Sequence, residues 1–139
     1  MAKKQADALF EINFYEKIIG YAPDFIEALA CLGELYTRQG LFEKGLAMDE
    51  RLVRLRPEDA VCAYNLACSY ALLNNIPASR RTMVRAIELG YDEWDHLRKD
   101  TDLANLLADS EFQAFLKTRT ARGRRTRAQA HEGISSGES

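Results

Sequence analysis

No uninterrupted apolar run in this chain approaches the length needed to span a bilayer, so membrane insertion is not expected. The opening MAKKQADALFEIN lacks both a continuous apolar core and a small-residue cleavage site, and it does not read as a secretory signal. Histidine is scarce, with His96 and His131 alone, and no serine or cysteine stands at helical spacing from His96. The three cysteines, Cys31, Cys62 and Cys68, are odd in number and form no C-x-x-C pair. A disulfide framework and a zinc set are both excluded on that pattern, and reduced thiols in the cytoplasm are expected. No glycine-rich loop follows a strand, because no strand pattern occurs. Catalysis therefore has no foothold: no enzyme activity, metal or cofactor is expected.

What the chain does have is ordinary globular composition in 139 residues, 47% hydrophobic and 29% charged, which fits one domain. Its formal charge of −2 hides an asymmetry. Residues 117–139 carry six basic side chains, from Lys117 to Arg127, and two acidic ones, Glu132 and Glu138. The tail is thus +4 and the body −6.

The body is organised around residues 60–91. Ala63, Leu66, Tyr70 and Leu73 form one apolar stripe at helical spacing, and Val61, Tyr64, Cys68 and Leu72 form another. An Asn74-Asn75 turn leads to a second helix that starts at Pro77 and stops at Gly90, with Met83, Ala86 and Ile87 on its inner face. Two helices of this length cannot close a core alone, so neighbours are required. One lies directly upstream, since Leu32 and Leu66, Tyr36 and Tyr70, Arg51 and Arg85, and Leu55 and Leu89 are each 34 residues apart.

That period, with Leu29-x-x-Leu32-Gly33-x-x-Tyr36 followed by Pro57, resembles the tetratricopeptide signature, as does Ala63-x-x-Leu66-Ala67-x-x-Tyr70 with Ala78 and Ala86. Glu11 to Phe25, with Tyr15 to Ile18 and Pro23, looks like the second half of an earlier repeat. The resemblance covers roughly residues 11–116. It implies an all-α fold of helical-hairpin repeats in a short right-handed superhelix with C-terminal capping helices. The expected divisions are an N-terminal half-repeat helix at 1–25, repeats at 26–59 and 60–91, capping helices at 92–116 and a basic tail at 117–139. Two departures stand out. Asp49 replaces an aromatic and Gly45 an alanine, so the 26–59 repeat is expected to be looser, with Asp49 turned to the helix edge toward Arg51, Arg54 or solvent. Tyr91 replaces the closing proline, which fits a repeat that ends the array.

Tetratricopeptide arrays hold extended peptides or partner helices in a concave groove lined by the first helix of each repeat. By resemblance, the groove positions here are Glu27, Ala30, Glu34, Thr37 and Arg38, then Val61, Tyr64, Cys68, Ala71 and Leu72. The second set overlaps the spare apolar stripe, and Tyr64 is expected as a half-exposed anchor. Chaperone-binding members of the family hold a terminal carboxylate with basic residues. Glu27 and Glu34 beside Arg38 argue against that use and suit a basic segment instead, the chain's own tail among the candidates. The implied function is a non-enzymatic adaptor or scaffold for an unidentified protein or peptide.

The first helix is expected from about Ala6 to Ile19, facing the repeats with Ile12, Tyr15, Ile18 and Ile19. Phe10 and Phe14 fall to one side, covered either by a second copy in a homodimer or by folding over the next repeat. Asp24-x-x-Glu27 and Ser110-x-x-Gln113 have capping-box spacing. Helices at Asp92–Leu97, around Leu103–Leu107 and through Phe112–Leu116 would close the array with Trp94 packed. The tail contains no aromatic residue to stack a base and no apolar face for insertion. A solvated tail is favoured. A role there for nucleic acid or an acidic partner, and a self-assembling structural role for the groove, are the competing readings.

Overall fold

The computed structural model describes residues 2–119, and no strand occurs among them. The order is α1 (Ala2–Tyr21), α2 (Ile26–Arg38), α3 (Phe42–Leu55), α4 (Ala60–Leu72), α5 (Ile76–Glu88) and α6 (Trp94–Lys99). A 3-10 turn (Thr101–Leu103) and α7 (Ala104–Leu107) follow, and residues 110–119 are helical again. Each helix from α1 to α4 packs against its successor, and the 3-10 turn returns to α4. The described residues divide into two units, the first ending at Leu106 and the second beginning at Leu107.

The 34-residue period is visible in the geometry. Gly40 and Asn74 occupy the same turn position with φ of +77° and +58°, the left-handed conformation that ends a helix. The chain closes behind them in the same way, Leu41 N–H donating to the Tyr36 carbonyl at 2.8 Å and Asn75 N–H to that of Tyr70 at 2.9 Å. The Tyr36 hydroxyl donates to Glu16 at 2.7 Å, and the Tyr70 hydroxyl to Glu50 at 3.5 Å. Glu16 is on α1 and Glu50 on α3, so α1 stands to α2 as α3 stands to α4.

Helix α1 begins earlier and ends later than the apolar stripe suggests. Gly20 does not stop it, and the helical bonding continues to Ala22 N–H, which donates to the Ile18 carbonyl at 2.8 Å. Ile12 is buried with Leu32, Leu35 and Tyr36, and Tyr15, Ile19 and Met48 pack around that cluster. Leu9, Phe10 and Phe14 are 61%, 73% and 52% exposed, so the phenylalanines do not fold over the following hairpin.

Two predicted capping boxes are not formed. Phe25 N–H donates to the Ala22 carbonyl at 3.1 Å, a turn that delays the start of α2 to Ile26 and leaves Asp24 outside the cap. Downstream, Asp109 rather than Ser110 caps, accepting from Phe112 N–H at 3.0 Å, while the Gln113 amide donates to the Leu107 carbonyl at 2.8 Å. In α4 the Asp59 carboxylate accepts from the N–H groups of Val61 and Cys62, and the Asn75 side chain accepts from Ala78 N–H at the start of α5.

The expected looseness of residues 26–59 is also corrected. A Cβ on Gly45 would come within 2.6 Å of Thr37 Oγ1, and one on Gly33 within 3.3 Å of Met48 Cβ. The glycines let α2 and α3 approach closely. Beyond α5, Leu97, Leu103 and Leu106 are fully buried and Trp94 is half-buried. Within the second unit, Phe112 is buried and stacks against Phe115 with centroids 6.2 Å apart. The basic positions from Arg122 to Arg127, and with them the tail's expected solvation or partner contacts, lie outside the described residues. Among the described residues no helix is long and apolar enough to cross a membrane.

Candidate functional site

A groove of about 450 Å³ is lined by residues of α2 and α4, by Asp49 and Leu52 of α3, and by His96, Asp100 and Asp102. Helix α2 contributes Ala30, Glu34, Thr37 and Arg38 of the expected positions, and α4 contributes Tyr64, Cys68 and Leu72. These seven positions are brought together because they repeat along one face of each helix. The other three are not. Glu27 is exposed outside the lining, Val61 is 58% exposed at the start of α4, and Ala71 is fully buried.

Tyr64 departs from the expectation of a half-exposed anchor: it is only 4% exposed. Its ring stacks on Tyr91 with centroids 4.4 Å apart and planes 12° from parallel, and its hydroxyl donates to Asp100 Oδ2 at 2.5 Å. The same oxygen receives the Cys68 thiol at 3.8 Å and lies 3.7 Å from His96 Nε2. Asp100 Oδ1 accepts from Asp102 N–H at 3.0 Å, and the Asn105 amide donates to the Ala71 carbonyl at 3.1 Å. The segment after α5 thus folds onto the second apolar stripe of α4 and covers two of its four residues, Tyr64 and Cys68. Burial, followed by the hydrogen bond to Asp100, pushes the Tyr64 hydroxyl far above its ordinary range. Tyr91 is itself 7% exposed, and its hydroxyl has no hydrogen-bond partner among the described residues.

Asp49 overturns a second expectation. It does not turn to the helix edge but is 8% exposed, its carboxylate accepting from the Ser69 hydroxyl at 2.5 Å. Burial pushes its pKa up to about 6, against the lowering effect of the Ser69 bond. The carboxyl also borders the groove. Arg51 is engaged elsewhere, donating to the Pro23 carbonyl at 2.5 Å.

The lining is electrically one-sided. Glu34, Asp49, Asp100 and Asp102 face it, and the single permanent cation among the lining residues, Arg38, is paired with Glu34 one turn away. Burial raises the pKa of Asp102, and the neighbouring Asp100 raises it further. Burial raises the Cys68 thiol, and the charges of Asp100, Asp102 and Asp49 add to that shift, which makes it a poor nucleophile. All three cysteines are free, and no group of three or more His, Cys, Asp or Glu among the described residues is placed to hold a metal ion.

Asp100, Asp102, His96 and Asn65 escaped sequence reasoning. Asn65 sits between the two apolar stripes of α4, where spacing alone assigns no role. The other three come from a segment whose period is not that of the repeats, so no 34-residue offset points to them.

No family model matches the chain. Over 88 residues it is 31% identical to a chloroplastic protein of Arabidopsis thaliana, a match that covers 61% of this chain and 26% of that protein. The chain therefore spans about a quarter of the length of this relative.

Proposed function

We propose that this chain is a tetratricopeptide-type, non-enzymatic adaptor that binds an extended peptide or partner helix in the groove between α2 and α4. The observation that carries the reading is the groove itself, which gathers seven positions assigned from sequence on the first helices of two successive hairpins. The 34-residue recurrence of turns and of Tyr–Glu hydrogen bonds supports repeat architecture, with a right-handed superhelix and a closing cap as its implied form. Free cysteines fit a reducing compartment such as the cytoplasm. The exposed Leu9, Phe10 and Phe14 suit self-association through α1, which sedimentation of the wild type against Phe10→Ser/Phe14→Ser would reveal as a change in mass.

The groove reading is tested by placing a photo-crosslinking side chain at Asn65, exposed within the groove, and in parallel at Glu88, exposed on α5. A discrete adduct from Asn65 alone is the expected result. Equal adducts from both positions, or none from Asn65, would remove the groove as the working surface.

A further inference from the structure

Resting on that groove reading, we propose that the groove takes a lysine or arginine side chain from an extended segment of a partner protein. The cation would sit between Asp102 and Asp49, with small apolar neighbours of the segment against Ala30 and Leu72.

Charge complementarity carries this choice. Asp100 is committed internally: one carboxylate oxygen accepts from Tyr64 and the other from the Asp102 backbone. Asp49 accepts from Ser69. The Asp102 carboxylate has no hydrogen-bond or ion-pair partner among the described residues, although it is partly buried beside Asp100. A half-buried carboxylate with a second one next to it is unfavourable unless a positive charge approaches. Arg38 is tied to Glu34, and His96 lies against Asp100, so neither answers Asp102. Asp49, Asp100 and Asp102 line the groove together with Cys68. The carboxylates are nevertheless not grouped for a metal ion, whereas a long flexible side chain ending in several N–H donors can reach spaced oxygens.

The test uses the full chain and three fluorescein-labelled peptides of alternating alanine with lysine, glutamine or glutamate, read by fluorescence polarisation. The lysine peptide is expected to bind about tenfold more tightly than the glutamine one, and the glutamate peptide not at all. Asp102→Asn should remove most of the lysine advantage, bringing the lysine and glutamine peptides to similar affinities. If lysine and glutamine peptides bind equally and Asn65→Trp blocks both, the groove reading stands and the cation inference falls. If the lysine peptide binds but neither Asp102→Asn nor Asn65→Trp affects it, its site is elsewhere and both fail; the absence of any binding, with the basic segment intact and with it replaced, has the same meaning. Lysine-peptide binding that appears only after Arg122, Arg124, Arg125 and Arg127 are all replaced by glutamine would assign the groove to the chain's own basic segment and overturn the partner assignment.

Discussion

Hairpins α2–α3 and α4–α5 share a 34-residue frame yet solve the same packing problem differently. Where α2 and α3 meet, the residues are Gly33, Thr37 and Gly45; the equivalent positions in α4 and α5 are Ala67, Ala71 and Ser79. Thr37 Oγ1 donates to the Gly33 carbonyl at 3.0 Å and occupies the space a Cβ on Gly45 would need. With alanine at 71 that space is free, and Ser79 enters and donates its own hydroxyl to the Ala67 carbonyl at 2.8 Å. The hydroxyl has changed helices. Asp49 and Met83 are equivalent as well, one a buried carboxyl and the other a fully buried apolar side chain. Phe25 and Leu41 begin α2 and α3 without a side-chain cap, where Asp59 and Asn75 cap α4 and α5. The later hairpin is specified by its local sequence. The earlier one relies on close approach and holds a charge that weakens it.

Four tests, using six substitutions, probe this contrast. Tyr64 corresponds to Ala30, which is exposed, so the frame alone suggests that alanine would be tolerated at 64. Its stack on Tyr91 and bond to Asp100 lead instead to an expected loss of about 4 kcal/mol in denaturant unfolding of Tyr64→Ala. A loss within the range of surface substitutions would mean that the two hairpins are interchangeable there.

Asp49→Asn tests the buried charge. A native carboxyl held at about 6, above its ordinary value of 3.8, binds more protons folded than unfolded between those values, so stability falls as pH rises through that window. The variant should gain about 3 kcal/mol at pH 7 and almost nothing near pH 4. Equal stability of variant and wild type at pH 7 would show that the buried carboxyl carries no such penalty.

Gly45→Ala should lose about 2 kcal/mol by overpacking, and Thr37→Ala in the same chain should restore most of it. Additive losses in that double-mutant cycle would break the account of the exchanged hydroxyl. The smallest effect is at the caps. Asn75→Ala should cost about 1 kcal/mol, and Leu41→Asn should recover a similar amount in the other hairpin, both measured as shifts in thermal midpoint.

The helical class and the turns at Gly40 and Asn74 were legible because each depends on spacing within one helix or on one repeat length, and four of the five α2 positions that the resemblance implied, all but Glu27, line the groove. Misreadings arose where a residue's environment is made by a distant segment. Tyr64 read as open because nothing in the repeat frame indicates that residues 91–105 fold back over α4. Asp49 read as peripheral from the general rarity of buried carboxylates, and its partner Ser69 is a full helix away. Asp24 and Ser110 had the right spacing for capping boxes, but the chain turns just before each helix, and spacing cannot register that.

Trp94 opens α6, the short helix that carries His96 and leads into Asp100 and Asp102. It is the chain's only tryptophan, so the protein's indole emission comes from a single half-buried ring at the edge of the groove wall. The repeats themselves are optically silent in that band. Movement of the wall over α4 and melting of the hairpins are therefore separable signals in the unlabelled protein, one read from fluorescence and the other from helical circular dichroism.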